Sequence, residues 1–262
     1  MALFLKFMQL LVLKYLSILF LLFLFIVCRK KGFRSLLSLG LTIIILLRFF
    51  LPLLLKGYDP TLLTFITALP ILFLIIYLTE GFTLLSHISI CAIIINFTFT
   101  SLLSWISIIL AGFTGLTSEE TAYVASYGTH TINLQGLLIA GIILGTLGIL
   151  TEMVVTQVAT VSELMSINRE LSNKQIFKQA YTIGVAHLGS MINTLFLIYA
   201  GVSLPILIIL TGGNNTFAHL LNSELLTTEI IRTLVGSIGL ILAMPTSTAL
   251  AVWWLKKTSY NK

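Results

Sequence analysis

The sequence predicts an all-α integral membrane protein, a helical bundle with about seven transmembrane helices. Of its 262 residues, 58% are hydrophobic and only 9% are charged, whereas soluble domains carry about 25% charged residues. Seven stretches are apolar over about 20 residues, the length that a helix needs to cross a hydrocarbon layer roughly 30 Å thick. Most lysines and arginines lie between these stretches. Together these features exclude a water-soluble globular domain.

The seven predicted spans form one membrane domain over residues 1–262. In chain order they cover residues 9–28, 36–55, 61–79, 86–112, 135–157, 190–212 and 230–255. The first span has no small-residue cleavage site before Arg29. We therefore expect it to be retained as an anchor, although a signal peptide can have a similar apolar run.

The segment between the fifth and sixth spans shows a different pattern. Val161, Leu164, Ile167 and Leu171 recur at helical spacing among charged residues. This spacing predicts an amphipathic helix near 161–179 that lies along the inner membrane surface.

Ten of the fifteen lysines and arginines form three clusters on alternate loops. The clusters are Arg29, Lys30, Lys31 and Arg34; Arg169, Lys174 and Lys178; and Lys256, Lys257 and Lys262. The positive-inside rule places these clusters in the cytoplasm, with the N-terminus outside and the C-terminus inside. Residues 113–134 and 213–229 carry glutamates and no lysine or arginine, as expected for outer loops. Because the cations flank apolar spans, we expect a cell-membrane protein with no nucleic-acid partner.

Glu152 is the main candidate functional residue. It lies about 8 Å inside the cytoplasmic end of the fifth span, at 1.5 Å per residue. Gly141, Gly145 and Gly148 precede it at steps of four and three, so all four residues share one helix face. Glycines allow close approach of another helix, so we expect Glu152 to point into a helix interface or an internal cavity and to bind a proton or cation. The alternative is a hydrogen bond to a neighbouring helix, or a position at the membrane interface.

A row of polar residues at the start of the sixth span shares one helix face, because its members recur at steps of three or four. Asn193 and Thr194 lie about 5–6 Å into the membrane from the inner side, close to the depth of Glu152. With two residues of the fifth span it forms a candidate polar path. The path comprises Glu152, Thr156, His187, Ser190, Asn193 and Thr194. The alternative is that these side chains only make hydrogen bonds between packed helices.

The seventh span carries a second row of small residues, with an arginine at its outer end. The row comprises Arg232, Gly236, Gly239, Ala243 and Thr246. We expect the small residues to form a helix-packing face. For Arg232 we expect either an ion pair with Glu229 or Glu224, or extension of the side chain to the outer surface.

Three segments of the C-terminal half are distinctive: GTLGILTEMVVTQVATVSEL, GVAHLGSMINTLFLIYAGVSLP and EIIRTLVGSIGLILAMPTSTALA. In these segments the chain resembles the YibE/F-like family of multi-pass bacterial membrane proteins. The resemblance covers residues 145–250, and the first 112 residues match in length and hydropathy. Where the family usually has paired aspartates, this chain has Thr151 and Glu152.

The resemblance implies a short family member that pairs with a longer YibE-like membrane protein; a homo-oligomer is the other assembly that we consider. We expect a permease or transport subunit with a proton- or cation-binding carboxylate in the membrane, or alternatively a non-transporting assembly subunit. An intramembrane enzyme is not expected, because the sequence has no HExxH or GxSxG motif. Cys28 and Cys91 lack the spacing of metal or dithiol motifs, so we expect no metal and no cofactor.

Overall fold

The computed structural model describes residues 2–117, 121, 123–124, 132–168, 170–211 and 223–260. Within these ranges the chain is all-α and contains no strand. The elements are α1 (Ala2–Ile45), a π-helical turn (Leu46–Phe50), α2 (Leu51–Leu55), α3 (Pro60–Glu80), α4 (Leu84–Leu110), α5 (Leu134–Ile167), α6 (Asn173–Val202), α7 (Leu204–Thr211) and α8 (Glu224–Tyr260).

Six helical stretches of the described chain are long and apolar enough to span a membrane. They are Phe7–Leu55, Pro60–Glu80, Leu84–Leu110, Leu134–Ile167, Asn173–Val202 and Glu224–Thr258. The prediction of an all-helical, multi-pass membrane protein is therefore confirmed.

The first stretch folds back on itself at Arg29. Its 49 residues would form a rod of about 73 Å at 1.5 Å per residue, more than twice the thickness of a hydrocarbon layer. Arg29 has φ 47° and ψ −125°, outside the helical region. The rings of Phe25 and Phe33 stack with their centroids 6.4 Å apart, whereas eight residues of continuous helix rise about 12 Å. The first two predicted spans are therefore the two arms of this one stretch.

The core lies where α4, α5 and α8 pack together. Their largest buried side chains include Ile93, Ile143, Met153, Leu240 and Met244, each at most 1% exposed. Helix α3 packs against α5, and α6 packs mainly against α8 and also against α5. Burial of such branched and unbranched apolar side chains is the main force that holds helices together where water is present; inside a bilayer, close packing takes over.

Two contacts define a basic end of the bundle. Lys31 Nζ lies 3.3 Å from Glu80 Oε2, which joins the turn after the first arm to the end of α3. Lys256 Nζ donates to the carbonyl oxygen of Leu171 at 2.9 Å, which joins the end of α8 to the α5–α6 connection. Because α3, α4, α5, α6 and α8 alternate in direction, both contacts lie at one end. The described members of the three predicted cation clusters share this basic end.

The opposite end of the bundle is held by Glu224, and we call it the Glu224 end. Glu224 Oε1 accepts a hydrogen bond from the Gly115 backbone N–H at 2.7 Å. Gly115 has φ 83°, and a Cβ atom there would collide with the backbone of Leu134. Only glycine therefore fits where the α4–α5 connection approaches the start of α5 this closely.

The predicted surface helix over 161–179 is wrong. Helix α5 continues through the first part of this segment, with Val161 fully buried and Leu164 packed on the core. A capping box at Ser172 then starts α6. The apolar stripe that suggested a surface helix extends α5 instead, because its side chains pack on the core of the bundle.

The predicted bounds of the sixth span, 190–212, are also wrong. Helix α6 begins at Asn173, and Ser203 separates it from α7. Pro205 is the second residue of α7, where a missing N–H leaves no hydrogen bond unmade. The polar first turns of α6 have too little hydrophobicity to appear as part of a span.

Candidate functional site on helix α5

One face of α5 is open to the surroundings and carries Glu152. All five of its residues have exposed side chains or, for glycine, exposed backbone. We call this set the open face: Gly141, Gly145, Gly148, Glu152 and Thr156. A Cβ atom at Gly141 or Gly148 would have no neighbour within 4 Å, and at Gly145 it would meet the Tyr199 hydroxyl at 3.6 Å. Within the described chain, no helix packs closely on this face.

Glu152 does not point into the bundle, contrary to the expectation from the sequence. Its side chain is exposed, and among described residues it makes no ion pair or hydrogen bond. The side of α5 that faces the bundle carries Met153, Val154 and Gln157, each at most 2% exposed. These larger side chains provide more contact area than glycines do, so they form the core contact and leave Glu152 on the outside.

The polar row of α6 is mostly exposed as well. Ser190, Asn193 and Thr194 face outward, and the Thr194 hydroxyl donates to the Ser190 carbonyl oxygen within its own helix at 2.9 Å. His187 is half-buried, and its Nε2 atom is buried without a hydrogen-bond partner. The structure brings no member of this row into a hydrogen bond with Glu152. A closed polar path is therefore not formed by the described residues of a single chain.

Except for Thr246, which belongs to the predicted row of the seventh span, the buried polar contacts of the bundle involve residues that the sequence analysis did not select. Asn96 Nδ2 donates to Thr246 Oγ1 at 2.7 Å, which joins α4 to α8. Gln157 Nε2 donates to the Ala180 carbonyl oxygen at 2.9 Å and to Thr248 Oγ1 at 2.8 Å, which joins α5, α6 and α8. An amide inside an apolar span was the available signal for both contacts. These groups are uncharged, and hydrogen bonds of this kind fix how the helices pack.

The small residues of α8 are covered by other helices. We call this row the closed face: Arg232, Gly236, Gly239 and Ala243. A Cβ atom at Gly239 would lie 2.6 Å from Thr100 Oγ1, and one at Gly236 would lie 3.3 Å from Leu195 Cδ2. Helices α4 and α6 thus approach this row closely.

Arg232 forms an ion pair with Glu229. Arg232 Nη1 lies 3.2 Å from Glu229 Oε1, and its guanidinium carbon lies 5.7 Å from the centroid of the Tyr199 ring. Arg232 Nε and Glu229 Oε2 are buried without hydrogen-bond partners. Glu224, the other partner considered from the sequence, bonds instead to Gly115.

Comparison with known families identifies one family whose model matches the chain. A model of YibE/F-like proteins matches residues 16–257. The chain belongs to the YibE/F-like family. The match extends beyond residues 145–250, on which the resemblance was based, and includes most of the folded-back first stretch. No curated protein and no solved structure matches the chain.

The site of this YibE/F-like protein consists of one carboxylate in a row of small residues. The described residues contain no group of three or more His, Cys, Asp or Glu side chains that could hold a metal ion. A single carboxylate can exchange a proton, or can bind a cation when other ligands are supplied to it. In the chain alone, Glu152 has no such ligands among the described residues.

Proposed function

We propose that this YibE/F-like protein is a transport subunit of a membrane assembly, and that its open face docks a helix of a second membrane protein. The exposed position of Glu152 carries the proposal. A charged side chain that faces lipid within a span costs free energy, about 2.5 kcal/mol at the bilayer centre and less toward the interface. Docking would remove the carboxylate from lipid, and the glycines would allow the backbones to approach closely.

The proposed occupant of the open face is a helix of a longer YibE-like protein. Membership of the family supports this choice, because the family resemblance implies a long and a short member. Docking of the open face on a second copy through a two-fold axis would bring two Glu152 carboxylates together. Two like charges at one site disfavour the ionised forms, so we place the longer relative there.

Docking would also give Glu152 a chemical function. Once covered, the carboxylate could bind a proton or a cation together with polar groups of the partner. The α6 residues Ser190, Asn193 and Thr194 could extend this site along the interface. A non-transporting assembly subunit is the second candidate, because the polar row is not closed in the single chain.

We further propose seven crossings, with the N-terminus outside and the C-terminus in the cytoplasm. The fold-back at Arg29 supports the odd number, and the basic end supports the orientation. Single cysteines in place of Lys31 and Lys56, in a chain without native cysteines, test it with an impermeant maleimide on intact cells. Labelling only at position 56 is expected, and labelling only at position 31 contradicts the orientation.

The docking proposal is tested by filling the open face. Gly148→Leu places a large side chain on the open face, in the space that the partner helix should occupy. Gly189→Leu is the matched control, because Gly189 on α6 is also exposed with nothing within 4 Å of a Cβ atom. We expect Gly148→Leu to reduce co-purification of the longer relative about tenfold, equivalent to about 1.4 kcal/mol, and Gly189→Leu to leave it unchanged. Equal recovery with both variants contradicts docking at the open face, and loss of self-association alone would instead indicate a second copy.

The transport proposal is tested separately with Glu152→Gln in the assembled pair. This change keeps the size and hydrogen-bonding capacity of the side chain but removes its charge. In proteoliposomes containing a pH-sensitive dye, we expect the wild-type pair to carry protons or a proton-coupled cation, and the Glu152→Gln pair to lose this flux while still assembling. Unchanged flux would contradict the role of Glu152 in transport and leave the docking proposal intact.

A further inference from the structure

A cleft of about 490 Å³ lies at the Glu224 end, between α3, α4 and α5. It is separate from the open face, and no residue of the proposed docking contact lines it. Its volume lies within the roughly 300–1,000 Å³ range of ligand pockets. Several of its lining residues, among them Leu62, Thr98 and Trp105, are exposed. Because α3 and α4 are long and apolar enough to span a membrane, we expect the exposed side of the cleft to face the hydrocarbon layer.

The cleft is long and its inner walls are apolar. Along α4 it extends from Thr98 to Ile109, a distance of about 16 Å at 1.5 Å per residue. Phe65 and Ile139 form the walls from α3 and α5. Phe65 is held in place by Phe97, whose ring meets it edge to face with centroids 5.9 Å apart. A flexible hydrocarbon chain fits such a groove better than a compact polar solute does.

Polar groups stand at defined positions in this cleft. Ser101 is 1% exposed, and its Oγ atom has no hydrogen-bond partner, although it lines the deeper part. At the mouth stands Asp59, the one charged side chain among the described lining residues. Asp59 Oδ1 caps α3 by accepting the Leu62 backbone N–H at 2.8 Å, and its other carboxylate oxygen is free to accept from a ligand. The amides of Asn133 and Gln135 lie at the same mouth.

We propose that this cleft binds a membrane lipid whose head group carries an ammonium, with one acyl chain between α3 and α4. The carboxylate of Asp59 would attract the ammonium and repel an anionic head. The apolar walls would hold the acyl chain, and the Ser101 hydroxyl would meet a polar group such as an ester oxygen if the lipid inserts deeply. An aminophospholipid of the leaflet at the Glu224 end has this chemistry.

The test uses the purified full chain in vesicles of phosphatidylethanolamine and phosphatidylglycerol. A phosphatidylethanolamine with a photoreactive diazirine in one acyl chain is the probe, and labelled residues are mapped by mass spectrometry. Labelling should concentrate on the α3 and α4 residues that line the cleft. Thr98→Phe fills the end of the cleft that lies farthest from the Glu224 end and should lower this labelling about fivefold. Ile95→Phe, at an exposed position of α4 outside the cleft, should leave it unchanged.

A second variant tests the head group without altering the fold. Asp59→Asn keeps a good N-cap residue for α3 and removes the charge. In the wild type the phosphatidylethanolamine probe should label the cleft about threefold more than a phosphatidylglycerol probe, as expected for one partly exposed charge contact. Asp59→Asn should abolish this preference. Equal labelling by the two lipids in the wild type, or equal labelling of the Thr98→Phe and Ile95→Phe chains, would overturn the proposal.

Discussion

The open face of α5 and the closed face of α8 have nearly the same sequence pattern but different surroundings. Gly141, Gly145 and Gly148 follow one another at steps of four and three, and the small residues of α8 follow at three and four. On α8, Thr100 and Leu195 fill the space beside the glycines. On α5 the space beside Gly141 and Gly148 is empty, and only the Tyr199 hydroxyl lies near Gly145.

This difference shows what a row of small residues can and cannot specify. It permits close approach of a helix, but it does not say whether that helix comes from the same chain. The ionisable residues of the two rows differ in the same way. Arg232 is paired with Glu229, whereas Glu152 is exposed. The closed face is covered within the chain, whereas we propose that a helix of a partner protein covers the open face.

The largest expected effect comes from the charged residues of the two faces. Arg232→Met leaves Glu229, whose side chain is 17% exposed, without its ion pair. Breaking a largely buried pair costs about 3 kcal/mol. Glu152→Met breaks no contact within the described chain and should change the free energy of unfolding by less than about 0.5 kcal/mol. Chemical denaturation of the isolated chain in detergent micelles measures both.

The double variant Arg232→Met with Glu229→Leu serves as the control for this prediction. It removes both charges and should recover most of the lost stability, because no unpaired charge remains. A loss below about 1 kcal/mol in the Arg232→Met chain would mean that the pair is solvated and that the two faces do not differ in this respect.

The second prediction compares the glycines themselves. Gly239→Leu forces a side chain against Thr100, whose Oγ1 atom would lie 2.6 Å from the new Cβ atom. Overpacking of this kind costs about 2 kcal/mol. Gly148→Leu meets no atom within 4 Å of its Cβ position and should leave the stability of the isolated chain unchanged, although we expect it to block the proposed docking. Thermal unfolding of the two single variants in the same detergent tests the comparison, and equal melting temperatures would contradict it.

Much of the fold could be predicted from the sequence, because hydrophobic length is encoded locally. The predicted span 61–79 corresponds to α3, Pro60–Glu80, and span 86–112 to α4, Leu84–Leu110. The errors arose where the apolar pattern continued beyond the predicted end of a span, as at Val161, or weakened within a helix, as at the start of α6. Ser172 with Gln175 forms the capping box that starts α6, and this signal was present in the sequence.

Less of the candidate site could be predicted, because a helix face is defined by its neighbours. Periodicity correctly grouped Glu152 with its glycines, but it could not tell that Met153 and Val154, one position away, would face the core instead. The pairing of Asn96 with Thr246 depends on two residues 150 positions apart. Without covariation between such positions, spacing along one helix cannot reveal the contact.

The smallest expected effect concerns this buried amide near the closed face. Asn96→Leu removes the hydrogen bond from Asn96 Nδ2 to Thr246 Oγ1, and the Thr246 hydroxyl retains the Leu242 carbonyl oxygen as an acceptor at 2.8 Å. Hydrogen bonds between membrane helices contribute about 0.6 kcal/mol on average.

A double-mutant cycle with Asn96→Leu and Thr246→Val should give a coupling energy of about this size. The same cycle with Asn96→Leu and Thr156→Val should give none, because Thr156 lies on the open face and makes no contact with Asn96. A coupling near zero in the first cycle would mean that packing of Thr100 on Gly239, and not the amide, holds α4 against α8. The contact between α4 and the closed face would then depend on the shape of the neighbouring side chains and not on a hydrogen bond.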